Sequence, residues 1–317
     1  MVEFLYVLLL LVLANLGERY RPAWYVVLLL LAATNAGLVL LGAGLLLIPA
    51  RFPQGPPSPF FVPRVGVVLL ATGLVAFLPL LAGVRRTLCA LLPLEPDRPV
   101  HTTALVYAVY LVGVTVAQFA ADVSTQLFRS GVQVTQALLW VQGGFFTAAG
   151  LLGVGFPVRR SLAEARRRLG LTRPTGGHLR LALLTVVGLQ AFDFAVSLTW
   201  SAVDPVSFQR LQELNRSLFA PLLNPVGALT LGLAAGVGEE ILFRGALQPR
   251  FGLWLTAALF AIAHTQYALS PALLEVFVIG LVLGLVRNRT STTTAVLVHA
   301  LYNTLNVLLW PLWPGSS

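Results

Sequence analysis

Long apolar runs, most of them close to 20 residues, alternate along the chain with short polar or proline-rich breaks. They fall at 2–17, 23–50, 65–84, 102–123, 133–158, 179–203, 219–243, 253–268, 271–287 and 292–312. A helix of about 20 residues matches the hydrocarbon thickness of a bilayer. Inside lipid, a helix also satisfies its own backbone polar groups. The pattern therefore predicts an all-α, polytopic transmembrane helix bundle of about 8–10 spans. The first and eighth runs are short, and the lower count applies if neither crosses. Pro53, Pro56, Pro57 and Pro59 break the second run from the third, Pro93, Pro96 and Pro99 precede the fourth, and Ser270-Pro271 separates the eighth from the ninth.

Composition removes the competing classes. Of 317 residues, 57% are hydrophobic and 10% are charged, against roughly 25% charged in an ordinary soluble domain. Neither a soluble globule nor a disordered chain has so little to solvate. The basic residues are all arginine, and the net charge is +9. That charge does not point to nucleic acid, because the arginines sort by side. With the loop around Arg19 and Arg21 set inside, alternating loops collect about 16 arginines inside and about 5 outside, the bias expected of cytoplasmic loops. The first run follows Glu3 rather than a basic segment, so it is expected as a retained span and not a signal peptide. The single cysteine, Cys89, permits neither an intrachain disulfide nor a cysteine metal cluster.

The basic stretch 159–168 and the Gly/Pro-rich 172–178 form the best boundary in the chain. The expected division is a transmembrane region of unknown role over 1–177 and a second domain over 178–317. The stretch 159–168 reads as a solvated cytoplasmic helix end, with binding to anionic headgroups as the sharper alternative.

Ionisable groups inside a span cost some 2.5–3.5 kcal/mol each on insertion scales. After residue 178 the apolar runs nevertheless hold Asp193, Glu239, Glu240, Arg244, His264, Glu275 and His299, with the amides Asn303 and Asn306. In Gly238-Glu239-Glu240-Ile-Leu-Phe-Arg244, helical spacing stacks Glu240 on Arg244 as an i,i+4 ion pair. Glu239 points roughly 100° away and is left for chemistry as a general base. A buried salt bridge holding helices together is the plain alternative. Phe260 and His264 are also four apart, which would set the phenyl ring under the imidazole. His299 and Asn303 share one face of the last run, Asn306 continues that face, and an interhelical hydrogen-bond pair is their plain alternative. Separate structural explanations for all three motifs are harder to sustain than one shared site. Asp193 is expected to pair with Arg180 or a cavity water, with substrate contact as the alternative, and Glu275 to reach the outer interface. Gly232/Gly236 and Gly280/Gly284 are expected to let helices approach closely, and Trp254, Trp310 and Trp313 to anchor span ends.

The order Glu-Glu-x-x-x-Arg, Phe-x-x-x-His, His-x-x-x-Asn resembles the intramembrane endopeptidases of the CAAX-protease and bacteriocin-processing (CPBP, or Abi) family, over roughly residues 180–312. The resemblance implies hydrolysis of a peptide bond within the membrane. By position, Glu239 and His264 would activate water, and His299 and Asn303 would stabilise the oxyanion. Glu240, Arg244 and Phe260 would support them. Imidazole and amide N–H groups can donate to a developing negative oxygen. A zinc ion held by Glu239, His264 and His299 is possible. Because His-Glu-x-x-His is absent, a metal-free glutamate mechanism with no required cofactor is favoured. Gly-x-Ser-Gly and Gly-x-Gly-Asp, which rhomboid-like and presenilin-like proteases would need, are also absent. The expected partners are the lipid bilayer and a membrane-associated peptide or protein substrate. The expected location is a bacterial cell membrane, with the site nearer the cytoplasmic face, since His299 lies about 12 Å along its span from that side. A non-proteolytic immunity or scaffold protein, and a transporter using the buried charges, are the competing functions.

Overall fold

The computed structural model describes residues 2–51 and 63–312. The proline cluster at Pro53–Pro59 and Trp313 lie outside these residues. Among the described residues the regular structure is helical throughout. Seven helices are long and apolar enough to cross a membrane: Arg21–Leu47, Pro63–Leu80, Pro99–Ala120, Gly176–Val203, Pro225–Ile262, Pro271–Arg289 and Thr292–Leu312. The all-α polytopic bundle expected from the apolar runs is what forms. The count is lower for three reasons, the first being that the fifth run forms only the 18-residue helix Gln136–Gly153, which is not among the seven. Val2–Gly17 is only 16 residues long. The runs taken as seventh and eighth join into one stretch, Pro225–Ile262, broken only by Gly252, whose φ of 75° and ψ of 174° are open to a residue without Cβ.

The chain forms two compact units. Residues 1–123 with 262–268 make the first, and residues 124–261 with 269–317 make the second. The first contains α1 (Val2–Gly17), α2 (Arg21–Arg51), α3 (Pro63–Phe77), α4 (Ala82–Leu91) and α5 (Pro99–Ala120). Its core joins Leu10 and Ala14 of α1, Val27 and Leu31 of α2, Ala76 of α3 and Val106 of α5. Polar groups inside it are matched in pairs. Tyr110 donates its hydroxyl to Asn35 Oδ1, and Tyr6 Oη lies 2.8 Å from Thr34 Oγ1. Between α4 and α5 the prolines end one helix and begin the next, with Pro99 at the start of α5, where its missing N–H costs nothing. The Arg85 guanidinium gathers the carbonyls of Pro79, Leu80 and Pro96.

The second unit contains α6 (Val123–Ser130), α7 (Gln136–Gly153), α8 (Leu162–Leu169), α9 (Gly176–Val203), α10 (Pro205–Phe219), α11 (Pro225–Glu240), a wide helical turn over Ile241–Leu247, α12 (Gln248–Ile262), α13 (Pro271–Arg289) and α14 (Thr292–Leu309). Small residues on α11 set the spacing. A Cβ on Gly236 would stand 2.8 Å from Ala300 N, one on Gly232 would stand 2.5 Å from Ala300 O, and one on Gly238 would stand 2.6 Å from Gly143 O. The Gly-x-x-x-Gly face of α11 thus packs within the unit, against α14. That of α13 meets α12, where Gly280 faces Ala257 and Phe260 and Gly284 faces Leu253. One core cluster joins α9, α13 and α14 through Val186, Leu189, Leu283, Val298 and Tyr302.

The basic stretch forms α8, capped by reciprocal Ser161–Glu164 hydrogen bonds and closed by Gly170 at φ 71°. Hydrogen bonds from Ser161 hold the Glu164 carboxyl below its usual range. Ala165 and Leu169 are buried while Arg166 and Arg167 face out. Burial, with Arg250, Arg160 and Arg287 nearby, lowers Arg168 to about 10.

Candidate active site

The motif Glu239-Glu240-x-x-x-Arg244 spans the end of α11 and the wide turn that follows. Glu240 and Arg244 have no solvent exposure, and Glu239, His299 and Phe260 are also buried. As the i,i+4 spacing predicts, Arg244 Nε lies 3.2 Å from Glu240 Oε2. This is an ion pair without hydrogen-bond alignment. Arg244 Nη2 donates to the carbonyl of Gly280 on α13 at 3.3 Å. The guanidinium carbon stands 4.2 Å from the centroid of Phe260, a cation–π contact that is stronger where water is excluded.

The other Glu240 oxygen reaches α14. Oε1 lies 2.9 Å from Nδ1 of His299. A carboxylate can only accept, so Nδ1 carries the proton. Glu240 therefore ties two motifs together: it meets Arg244 through one oxygen and His299 through the other. Sequence reasoning assigned only the first contact. It used the helical neighbour and left the second oxygen without a partner. That second oxygen, on a side chain in a lipid span, was the available signal.

Glu239 is not without a cation, contrary to the expectation from helical geometry. Arg244 feels the field of Glu240 most strongly and of Glu239 next. The simple 100° argument assumed an ordinary α-helix, whereas the chain opens into a wider turn at Ile241–Leu247.

Phe260 and His264 do not share the helical register expected of them, because α12 ends at Ile262. Phe260 packs edge-on to Phe243 at 5.3 Å and to His299 at 5.9 Å between centroids. It walls the Glu240–Arg244–His299 group. His264 belongs to the first unit, where its backbone is non-helical (φ −96°, ψ 58°). Its half-buried ring stacks in parallel with Tyr267, centroids 6.2 Å apart. Thr115 of α5 donates to the carbonyl of Ile262 at 2.8 Å, just before this segment.

Asn303 is half-buried on α14, one turn past His299. Asn306, expected to continue the same face, instead accepts a 2.6 Å hydrogen bond from Gln190 of α9. Asp193 does not meet Arg180. The two lie 13 residues apart on one helix, about 20 Å by helical rise. Asp193 instead accepts a 3.2 Å hydrogen bond from the Tyr302 hydroxyl of α14, and Glu275, expected to reach the outer interface, has one carboxylate oxygen buried. Gln248, four residues after Arg244, repeats the contact to α13 by donating to the Gly284 carbonyl at 3.0 Å and to Asn288 at 2.9 Å. This two-rung ladder was missed, although Arg244/Gln248 and Gly280/Gly284 have matching four-residue spacings.

Among the described residues, no three His, Cys, Asp or Glu side chains are grouped as a metal site would need. Glu240 engages Nδ1 of His299 and leaves Nε2 as the ring's remaining nitrogen.

No curated protein and no solved structure matches the chain. Residues 221–305 match the family model described as type II CAAX prenyl endopeptidase Rce1-like. The matched segment runs from just before α11 to within α14, and it contains all three motifs. Over residues 221–305 the chain is thus similar to the CAAX-protease-like intramembrane peptidases whose motifs it resembles.

Proposed function

We propose that the protein is an intramembrane endopeptidase, with residues 178–317 as its protease domain. The observation that carries this reading is the buried Glu240–His299–Arg244 group beside Glu239. Four ionisable groups are costly in a bilayer unless the chain has a use for them, and this assembly lies inside the Rce1-like segment.

In this mechanism Glu239 takes the proton from a water molecule as it attacks the scissile carbonyl. The carbonyl oxygen becomes negative, and His299 Nε2–H and the Asn303 amide donate to it. Donation from Nε2 requires a doubly protonated ring, because Nδ1–H already points at Glu240. The Glu240 carboxylate stabilises that cation and fixes the ring plane, as a buried carboxylate does for a catalytic histidine elsewhere. Arg244 pairs with Glu240 and is itself held by Gly280 and Phe260. The proton then passes to the leaving amine as the C–N bond breaks. The proposed mechanism uses no metal.

The substrate class is a membrane-associated peptide or protein, with a prenylated CAAX-type peptide as the first probe. The protein acts from an integral membrane position, in a bacterial cell membrane, with the site toward the cytoplasmic face. The test is comparative peptide profiling of membranes holding wild-type or Glu239→Gln protein at equal abundance. Peptides that appear only with wild type support the enzyme and name its substrate. Identical profiles would return the reading to a scaffold, and an ion flux lost in the same variant would favour a transporter.

A further inference from the structure

Several arginines outside the Glu240 network gather at one end of the second unit, and hydrogen bonds place them there. Thr292 N, at the start of α14, donates at 3.1 Å to the carbonyl of Gly170, which closes α8. Thr172 N donates to Thr293 Oγ1 at 3.1 Å. A Cβ on Gly245, in the wide turn, would stand 2.9 Å from Leu169 Cδ2. The last turn of α8, with Arg168, is thus fixed against the wide turn and the start of α14. Asn288 Oδ1 accepts from Gln248 Nε2 at 2.9 Å and from Arg287 Nη1 at 3.4 Å. These two bonds bring Arg287, in the last turn of α13, to the start of α12, where Arg250 is two residues past Gln248. Arg160, just before α8, donates through Nη1 to the Val154 carbonyl.

Arg160, Arg168, Arg250 and Arg287 are half-buried, whereas Arg166 and Arg167 of the same short helix are exposed. Arg250, Arg160 and Arg287 all bear on Arg168 and oppose its charge. Among the described residues Arg168 has no hydrogen-bond or ion-pair partner. Like charges repel, and partial burial strengthens the repulsion by lowering the effective dielectric. A helix end that is merely solvated would spread such side chains into water, as Arg166 and Arg167 do. Guanidiniums drawn together from α8, α12 and α13 instead suit an anion. The planar fork of arginine matches phosphate oxygens. The level of the cluster selects the source of that phosphate. Arg287 and Arg289 occupy the last turn of α13, a helix of membrane-spanning length, so the cluster stands at the headgroup layer, where basic pockets between spans take lipid phosphates. Exposed Leu162 at the start of α8 suits the same apolar boundary.

We propose that Arg160, Arg168, Arg250 and Arg287 form a binding site for the phosphate of an anionic membrane lipid. The bound phosphate offsets the repulsion among the four and bridges α8, α12 and α13. Through the Gly170–Thr292 bond it also steadies the start of α14. The site shares no residue with the Glu240 network and does not depend on the peptidase reading.

The experiment titrates full-length protein in detergent with phosphatidylglycerol and reads bound lipid by native mass spectrometry. Wild type should bind it about tenfold or more tightly than phosphatidylcholine, and less tightly as salt is raised. Arg168→Gln combined with Arg287→Gln should weaken binding about tenfold or more, since each arginine beside an anionic headgroup contributes roughly fivefold. Arg166→Gln combined with Arg167→Gln removes the same charge from the exposed face and should weaken it less than about threefold. Equal losses in the two double variants would mean diffuse attraction to a basic surface and would overturn the site. Phosphatidylglycerol should raise the unfolding midpoint of wild type, and inorganic phosphate at the same concentration should not. An equal rise with inorganic phosphate would overturn the assignment to a lipid. On wild type alone, phosphatidylglycerol with a photoreactive headgroup should label α8 and the ends of α12 and α13 that carry Arg250 and Arg287. Labelling confined to other segments would overturn the proposal however the variants fold.

Discussion

His299 Nδ1 lies 2.9 Å from Glu240 Oε1, joining residues 59 apart in the chain. The contact links α14 to the end of α11, and through Glu240 it reaches Arg244. All three side chains are buried, so each charge depends on the others for compensation. Removing one member of a buried pair costs more than the pair contributes, because the survivor is left uncompensated.

Glu240→Ala tests that dependence. It strands Arg244 in the interior and releases His299. The expected loss is about 3–5 kcal/mol of stability, read as a lower unfolding midpoint in detergent micelles. A midpoint equal to wild type would mean that the network does not hold the helices together.

Close helix approach gives a second prediction. A Cβ at Gly236 would come within 3.0 Å of Ala300 Cβ and 2.8 Å of its nitrogen, just past His299. Gly236→Ala should cost about 1–3 kcal/mol by overpacking and should lower activity by moving α14 off α11. Gly144 has nothing within 4 Å of its would-be Cβ. Gly144→Ala should be neutral or slightly stabilising in both thermal unfolding and cleavage assays.

The acid side of α8 gives a third. Glu164 sits below its usual carboxylate range because the Ser161 backbone N–H and hydroxyl bond to it. A lowered folded value contributes stability above the unfolded range, and that contribution is lost as pH falls through the folded value. Protection of the α8 amides, corrected for intrinsic exchange, should therefore hold at neutral pH and weaken below the ordinary glutamate range. Ser161→Ala should remove the difference.

Metal dependence is the fourth. The glutamate mechanism proposed above uses no metal. Extensive dialysis against EDTA should leave cleavage unchanged. Loss of activity that zinc restores would contradict the glutamate mechanism.

Much of this was legible because membranes punish error. A span in lipid must be apolar, helical and about 20 residues long, so the long helices and the prolines that open α5 and α13 could be read directly. The polar residues stood out against that background, and the Glu240–Arg244 pair followed from helical spacing alone. What could not be read depends on departures from ideal helices. The wide turn at Ile241–Leu247 brought Arg244 within the field of Glu239, and the end of α12 at Ile262 took His264 out of register with Phe260. The Asp193–Tyr302 contact needed α9 and α14 to be neighbours, and the periodicity of each helix carries no information about its partner. The Glu240–His299 contact was hidden for the same reason.

The most direct test of the central claim is cleavage of a farnesylated CAAX peptide by purified protein in nanodiscs, comparing wild type with Glu239→Gln. The substitution keeps the side chain's size and removes the base. The account predicts cleavage by wild type and a loss of about 100-fold or more in the variant, with an unchanged unfolding midpoint. A Gln variant that cleaves at the wild-type rate would contradict it.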